Sequence, residues 1–69
     1  MQNELVTFAA RFNVAVADAY VLPAVFERCA QMVKLPVRAL LSQATYSNNA
    51  LGEYIAKCAA EVATKDREG

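Results

Sequence analysis

Few residues in this chain carry side chains that could do chemistry. The sequence has no histidine, and its two cysteines, Cys29 and Cys58, lie far apart with no CxxC pair. A zinc site, a histidine general base and a CxxC redox motif are therefore excluded. We expect no catalytic residue, metal, cofactor or small-molecule substrate, and both cysteines are interpreted as buried free thiols. No spacing pairs two carboxylates in a cleft among Asp18, Glu27, Glu53, Glu61, Asp66 and Glu68.

The length of the chain, 69 residues, indicates a single domain spanning residues 1–69. Apolar residues make up 57% of it, but 14 of them are alanines, a composition that favours helix. A monomer of this size buries only about 60% of the surface of its unfolded chain. A stapling feature or a partner chain is therefore expected to supply part of the stability.

Charge and hydropathy predict the cellular location of the protein. The formal net charge is zero, so no overall field draws the chain to nucleic acid or to an anionic membrane. The first residues are acidic, unlike the basic start of a signal peptide. The most apolar stretch, residues 14–26, is too short to span a bilayer and contains Asp18 and Pro23. We expect a cytoplasmic protein that makes no membrane contact.

The pattern of apolar residues predicts an all-α domain of three to four helices. No segment alternates apolar and polar residues as a strand would. Asn3 suits a helix start, Pro23 suits a first helical position, and Pro36 breaks the helix before it. The polar cluster 47–49 ends one helix and caps the next. The predicted helices cover residues 3–22, 23–34, 36–46 and 49–64, and residues 65–69 are expected to fray.

The predicted first helix is apolar on nearly every side. A chain this small has too little mass to cover such a helix all round, so we expect a second copy to cover part of it. The prediction is a homodimer formed through this long helix. The interface residues on one stripe would be Leu5, Phe8, Phe12, Val16 and Tyr20.

The predicted fourth helix combines an apolar stripe with a charged side. Gly52, early in this helix, either permits a close helix approach or is tolerated near a helix end, and the second interpretation is favoured. Glutamates and lysines repeat every four residues on the other side and indicate a solvated face. The buried stripe would consist of Leu51, Ile55, Cys58 and Val62.

Residues 26–43, FERCAQMVKLPVRALLSQ, resemble the helix-turn-helix of small bacterial and phage regulators. Two short helices joined by a tight turn need a small residue where they cross and apolar residues around it. Lys34 stands where that family has glycine in the turn, and Gln43 stands where it often has an apolar residue. The family's small and apolar positions are occupied by Ala30, Val33, Leu35 and Leu40. The resemblance implies that the helix from Pro36 enters the DNA major groove.

The predicted third helix also has the composition of a protein-binding patch, because Val37, Leu41 and nearby Tyr46 are edged by Arg38 and Gln43. In size and style the chain is similar to the small helical proteins with which phages and mobile elements inhibit a host regulator or motor. We expect a non-catalytic regulatory module that binds a larger protein as a homodimer, with DNA binding as the alternative. The candidate contact residues are Arg38, Leu41, Ser42, Gln43, Thr45 and Tyr46.

Overall fold

A computed structural model describes residues 3–68, which form four α-helices and contain no strand. A 3₁₀ turn, Ala19–Val21, leads directly into the second helix, and a π-helical segment, Gln43–Ser47, continues the third. The prediction of a small all-α domain is confirmed. The four helices are α1 (Asn3–Arg11), α2 (Leu22–Val33), α3 (Val37–Ser42) and α4 (Asn49–Glu68).

The first helix is half as long as predicted, because α1 ends at Arg11 and does not continue to Leu22. Asn13 takes the left-handed conformation, with φ of 56°, which a helix interior does not permit. The Val14 N–H then bonds back to the Ala9 carbonyl oxygen at 2.9 Å, the 6→1 bond of a Schellman motif. Asparagine is among the few residues that accept this conformation readily. Asn13 is therefore the residue that ends the helix within the apolar run.

The same motif ends α2. Lys34 has φ of 59° and ψ of 42°, and its N–H bonds the Ala30 carbonyl oxygen. The Leu35 N–H bonds the same oxygen at 3.1 Å. Pro36, in an extended conformation, then starts α3 by accepting the Leu40 N–H at 3.1 Å. The predicted break before Pro36 is therefore confirmed, and the turn between α2 and α3 is only three residues long.

Replacing Lys34 with glycine should stabilise the protein by about 0.5–1 kcal/mol. Lysine in the left-handed region costs roughly 1–2 kcal/mol, and glycine removes this cost. Glycine also gives the unfolded chain more conformational freedom, which reduces the gain in stability by about 0.4–1 kcal/mol. Urea denaturation measures the difference. The control is Lys57→Gly, at an exposed lysine inside α4, which should lose about 1 kcal/mol. A lower urea midpoint for Lys34→Gly than for the wild type would contradict the left-handed turn.

The third helix and its π-helical continuation end at the predicted polar cluster. The Asn48 N–H bonds the Gln43 carbonyl oxygen at 2.7 Å, which closes the wide π turn. The side-chain oxygen of Asn48 accepts the Leu51 N–H at 3.1 Å and so caps α4. Asparagine at this position therefore ends one helix and starts the next, as the sequence predicts.

The core forms where α3 and the π segment pack between α1, α2 and α4. Phe8 is fully buried at its centre, with its ring centroid 4.9 Å from that of Phe12 and 5.0 Å from that of Phe26. The Phe8 and Phe26 rings meet edge to face, a favourable arrangement for aromatic pairs. The buried apolar residues are Leu5, Phe8, Ala19, Val21, Leu22, Val25, Phe26, Ala30, Leu40, Leu41, Ala44, Ile55, Ala59 and Ala63.

The buried face of α4 differs from the predicted one. Of the predicted stripe only Ile55 is buried; Leu51 and Cys58 are half-buried and Val62 is exposed. The helix is rotated so that its small residues face the core, because small side chains allow the closest approach of two backbones. The interpretation of Gly52 as merely tolerated is also wrong. A Cβ there would overlap the Phe12 ring and lie 2.7 Å from the Ala44 carbonyl oxygen. The core-facing residues of α4 are Gly52, Ile55, Ala59 and Ala63.

The expected fraying of residues 65–69 is wrong over its described part, because α4 continues to Glu68; Gly69 lies outside the described residues. Two side-chain contacts, which we call the clasp, hold this last turn against the residues before α2. The Tyr20 hydroxyl donates to an Asp66 carboxylate oxygen at 2.7 Å, and the Arg67 guanidinium pairs with Asp18. The bond to Asp66 raises the pKa of the Tyr20 phenol, because the carboxylate favours the protonated form.

Candidate binding surface

The outer side of α3 and of the π segment that continues it carries four of the six side chains predicted to contact a partner. Buried Leu40 and Ala44 mark its inner face, and the helical period places Leu41 and Thr45 on that same side. The prediction that Leu41 and Thr45 contact a partner is therefore wrong, since both side chains are at most 2% exposed. We call the exposed set the α3 outer face: Arg38, Ser42, Gln43 and Tyr46.

Thr45 is buried at an energetic cost. Its hydroxyl has no hydrogen-bond partner although the side chain is completely buried. A buried hydroxyl without a partner is destabilising compared with a methyl group of the same size. Thr45 therefore belongs to the core, and Thr45→Val serves below as a variant that should not alter binding.

A group of exposed apolar side chains lies around the α2–α3 turn. Within residues 32–37 four large apolar side chains are open to solvent; we call them the turn patch. Adjacent positions on a helix face different directions, so this apolar run could not have been buried as a whole. The uninterrupted apolar run is therefore the feature of the sequence that indicates an exposed patch. The helix-turn-helix pattern instead predicts that Val33 and Leu35 pack inside the domain. The exposed fractions are 71% for Met32, 51% for Val33, 37% for Leu35 and 39% for Val37.

A groove of about 340 Å³ between α2 and α4 joins the turn patch through Met32. It exists because α4 turns its small residues inward and leaves Cys58 and Val62 at the surface. Burial is the main reason that the pKa of the Cys29 thiol is raised, so this thiol stays protonated at neutral pH and is a poor nucleophile. The groove is lined by Val25, Arg28, Cys29, Met32, Tyr54, Cys58, Glu61, Val62 and Lys65.

The second helix, the turn and α3 carry one exposed cation each in this region. Three cations, Arg28, Lys34 and Arg38, lie between Glu27 and Glu53, with no acid between those two. All three are exposed. Although the chain as a whole is neutral, this surface is locally basic.

The predicted dimer interface is not one surface. Leu5 and Phe8 lie in the core of their own chain, so the prediction that they meet a second copy is wrong. Phe12 is half-buried against the same core, and the Tyr20 hydroxyl is bound to Asp66. Only Val16, at 94% exposed, is fully open. The five residues share one stripe only on a helix that continues past Arg11, and α1 ends there.

Comparison with protein families, curated proteins and solved structures finds no match for this chain. Within residues 3–68, no three or more cysteine or carboxylate side chains come together as ligands for a metal ion. None of the helices described above is both long enough and apolar enough to cross a membrane.

Proposed function

We propose that this protein is a small non-catalytic regulatory module that binds a larger protein and modulates or inhibits it. The observation that carries the proposal is the turn patch, where four apolar side chains within six residues are open to solvent. Several large apolar side chains exposed so close together along the chain are costly in water and are typical of a protein-binding site. The α3 outer face, which begins at Arg38 directly after Val37, extends the contact.

The chemistry of the surface defines its partner. An apolar centre with an aromatic and an arginine is typical of the energetically dominant part of protein interfaces. Around the turn patch stand Arg28, Lys34 and Arg38, so the matching surface has an apolar depression with carboxylates at its rim. The partner class that we propose is a host regulator or motor protein of the cytoplasm. The reason is that this chain is similar in size and general character to the small inhibitors that phages and mobile elements make.

Val33→Glu should abolish partner binding without unfolding the protein. The side chain is half exposed, and a carboxylate in the centre of a desolvated apolar contact weakens binding at least tenfold. Immobilised wild type and variants are compared by quantitative capture from a lysate of the source cell, with circular dichroism as the check of folding. Replacing Arg38 and Gln43 together with alanine should have the same effect.

Two controls define the surface. Ala60→Glu adds the same charge on an exposed position of α4, and Thr45→Val alters only the core. Both should capture the same protein as the wild type. If Val33→Glu and the Arg38/Gln43 double variant capture that protein as well as Ala60→Glu does, then the turn patch and the α3 outer face are not the binding surface.

DNA binding is the second candidate, and one observation favours it. Lys34 takes the left-handed conformation at the position where helix-turn-helix proteins have glycine, four residues after buried Ala30 and six before buried Leu40. Arg38, Ser42 and Gln43 remain exposed and could hydrogen-bond to base edges or phosphates. Leu41 and Thr45, which would have joined them, face the core.

Titration of labelled random duplex DNA at low and at moderate salt separates the two candidates. The protein-binding proposal expects no binding at low salt, since three cations neutralise few phosphates. Micromolar binding that weakens steeply as salt rises, and that is lost in Arg38→Ala, would replace it with a DNA-binding function for the same surface.

A further inference from the structure

The two cysteines lie on opposite walls of the groove between α2 and α4. Cys29 belongs to the α2 wall and Cys58 to the α4 wall, and both thiols are free and half-buried, not fully buried as the sequence predicts. Along α2, Cys29 lies between the lining residues Val25 and Met32. Cys58 likewise has lining residues on both sides of it along α4. Each cysteine is therefore near the middle of its wall, whichever way the two helices run relative to each other.

Small buried residues accompany both cysteines. Ala30 directly follows Cys29 and Ala59 directly follows Cys58, and both alanines are at most 4% exposed. Alanine presents only a methyl group, so helices that bury alanines can pack at the near end of the usual range of interaxial distances. Cα atoms of α2 and α4 come within 8 Å of each other. A disulfide requires about 4.4–6.8 Å between its two Cα atoms, so only a small movement of one helix is needed to allow the bond.

The two thiols also act on each other electrostatically. The pKa of the Cys29 thiol is raised first by burial and then by the negative charge that Cys58 carries as a thiolate. Neighbouring Arg28 acts in the opposite direction and does not offset these two effects. A charge shifts the pKa of another group in this way when the two lie close together.

We infer that Cys29 and Cys58 form an intrachain disulfide in the presence of a small disulfide oxidant such as oxidised glutathione. The thiolate of one cysteine attacks a sulfur of the oxidant, breaks its S–S bond and releases one glutathione thiolate. The thiolate of the other cysteine then attacks the protein sulfur of this mixed disulfide and releases the second glutathione. The two cysteines lose two electrons and two protons in total, and the oxidant takes them up to become two glutathione thiols.

The bond would join α2 to α4 and narrow the groove between them. Met32, through which the groove joins the turn patch, lies about one helical turn from Cys29. The surface beside the turn patch therefore differs between the dithiol and the disulfide forms, and the cysteine pair is a redox-sensitive switch. This inference does not depend on the proposed function, because it concerns the protein without a partner.

The test is incubation of the pure, reduced chain with oxidised glutathione, followed by mass spectrometry. Mildly alkaline pH is used because thiols react as thiolates. The intact chain should lose about 2 Da, the mass of two hydrogen atoms. Trypsin, which cuts after lysine and arginine, releases the cysteines in the separate peptides 29–34 and 58–65. These two peptides should be found joined, and they should separate on reduction.

A matched variant tests whether the fold holds the two thiols together. The measured quantity is the effective concentration of the pair, obtained from the ratio of disulfide to dithiol protein in glutathione buffers of known composition. The control is the double variant Cys58→Ala/Ala60→Cys, which moves the thiol two residues along α4 to an exposed position on another side of the helix. Its effective concentration should be at least tenfold lower than that of the wild type. Circular dichroism checks that the variant keeps its helices.

Three results would overturn the inference. Glutathione could stay attached to each cysteine separately, with no joined peptide. The joined peptides could come only from two chains linked to each other, at twice the mass of 7.5 kDa. The control could equal the wild type in effective concentration, which would show that the fold does not bring Cys29 and Cys58 together.

Discussion

Phe8→Ala should leave the protein largely unfolded at room temperature. Removing a completely buried phenylalanine costs about 3–5 kcal/mol, and Phe8 also loses its ring contacts with Phe12 and Phe26. A domain of this length has a total stability of only about 3–10 kcal/mol. The lost free energy is therefore comparable with the whole stability of the fold.

Circular dichroism at 222 nm with urea denaturation measures this effect. Val6→Ala is the control, because Val6 lies two residues away in α1 with half of its surface exposed and should change stability by less than about 0.5 kcal/mol. Phe8→Leu, which keeps an apolar side chain of moderate size, should fold with a lower urea midpoint. If Phe8→Ala unfolds at the wild-type urea midpoint, α1 does not pack against the core as described.

Gly52→Ala should destabilise the protein by about 1–3 kcal/mol, although alanine is the better helix former. The added Cβ would overlap the Phe12 ring and lie 2.7 Å from the Ala44 carbonyl oxygen, closer than such atoms approach in folded proteins. The Phe12 ring can turn aside, but the carbonyl belongs to the backbone of the π segment. Either α4 or that segment must move.

The exposed helix position Ala60 provides the matched comparison. Ala60→Gly should cost about 1 kcal/mol, which measures the value of alanine over glycine within α4. Gly52→Ala is the reverse substitution, glycine to alanine, and should nevertheless lower the stability. A gain in the urea midpoint for Gly52→Ala would show that the two backbones are not in close contact at this point.

Much of the fold follows from the sequence because strong local signals mark its turns. Pro36 and Asn48 act on their own neighbours, so the turn between α2 and α3 and the start of α4 could be predicted without knowing what these helices pack against. The break after Arg11 could not. The helical spacing of apolar residues continues on both sides of Asn13, so it predicts one uninterrupted helix. The helix ends here because the residues before and after Asn13 pack separately, with Asn13 in the left-handed conformation between them.

The candidate site was harder to predict than the fold, because its exposure depends on how each helix is rotated. The period of α3 places Leu41 and Ser42 next to each other, and only packing between α1, α2 and α4 turns the first inward. In α4 the largest apolar residues suggested the buried face, whereas the small ones provide it. Hydrophobicity alone does not distinguish a face that packs closely from a face that lines a groove.

The clasp affects the order in which the molecule folds. The Asp18–Arg67 pair joins residues 49 positions apart, whereas the turn between α2 and α3 closes over three residues. Closing the longer loop costs more chain entropy, so this pair should form after the helices have docked. Contacts that are absent from the transition state influence the unfolding rate rather than the folding rate. The clasp should therefore slow unfolding, and so prolong the lifetime of the folded chain, without changing the folding rate.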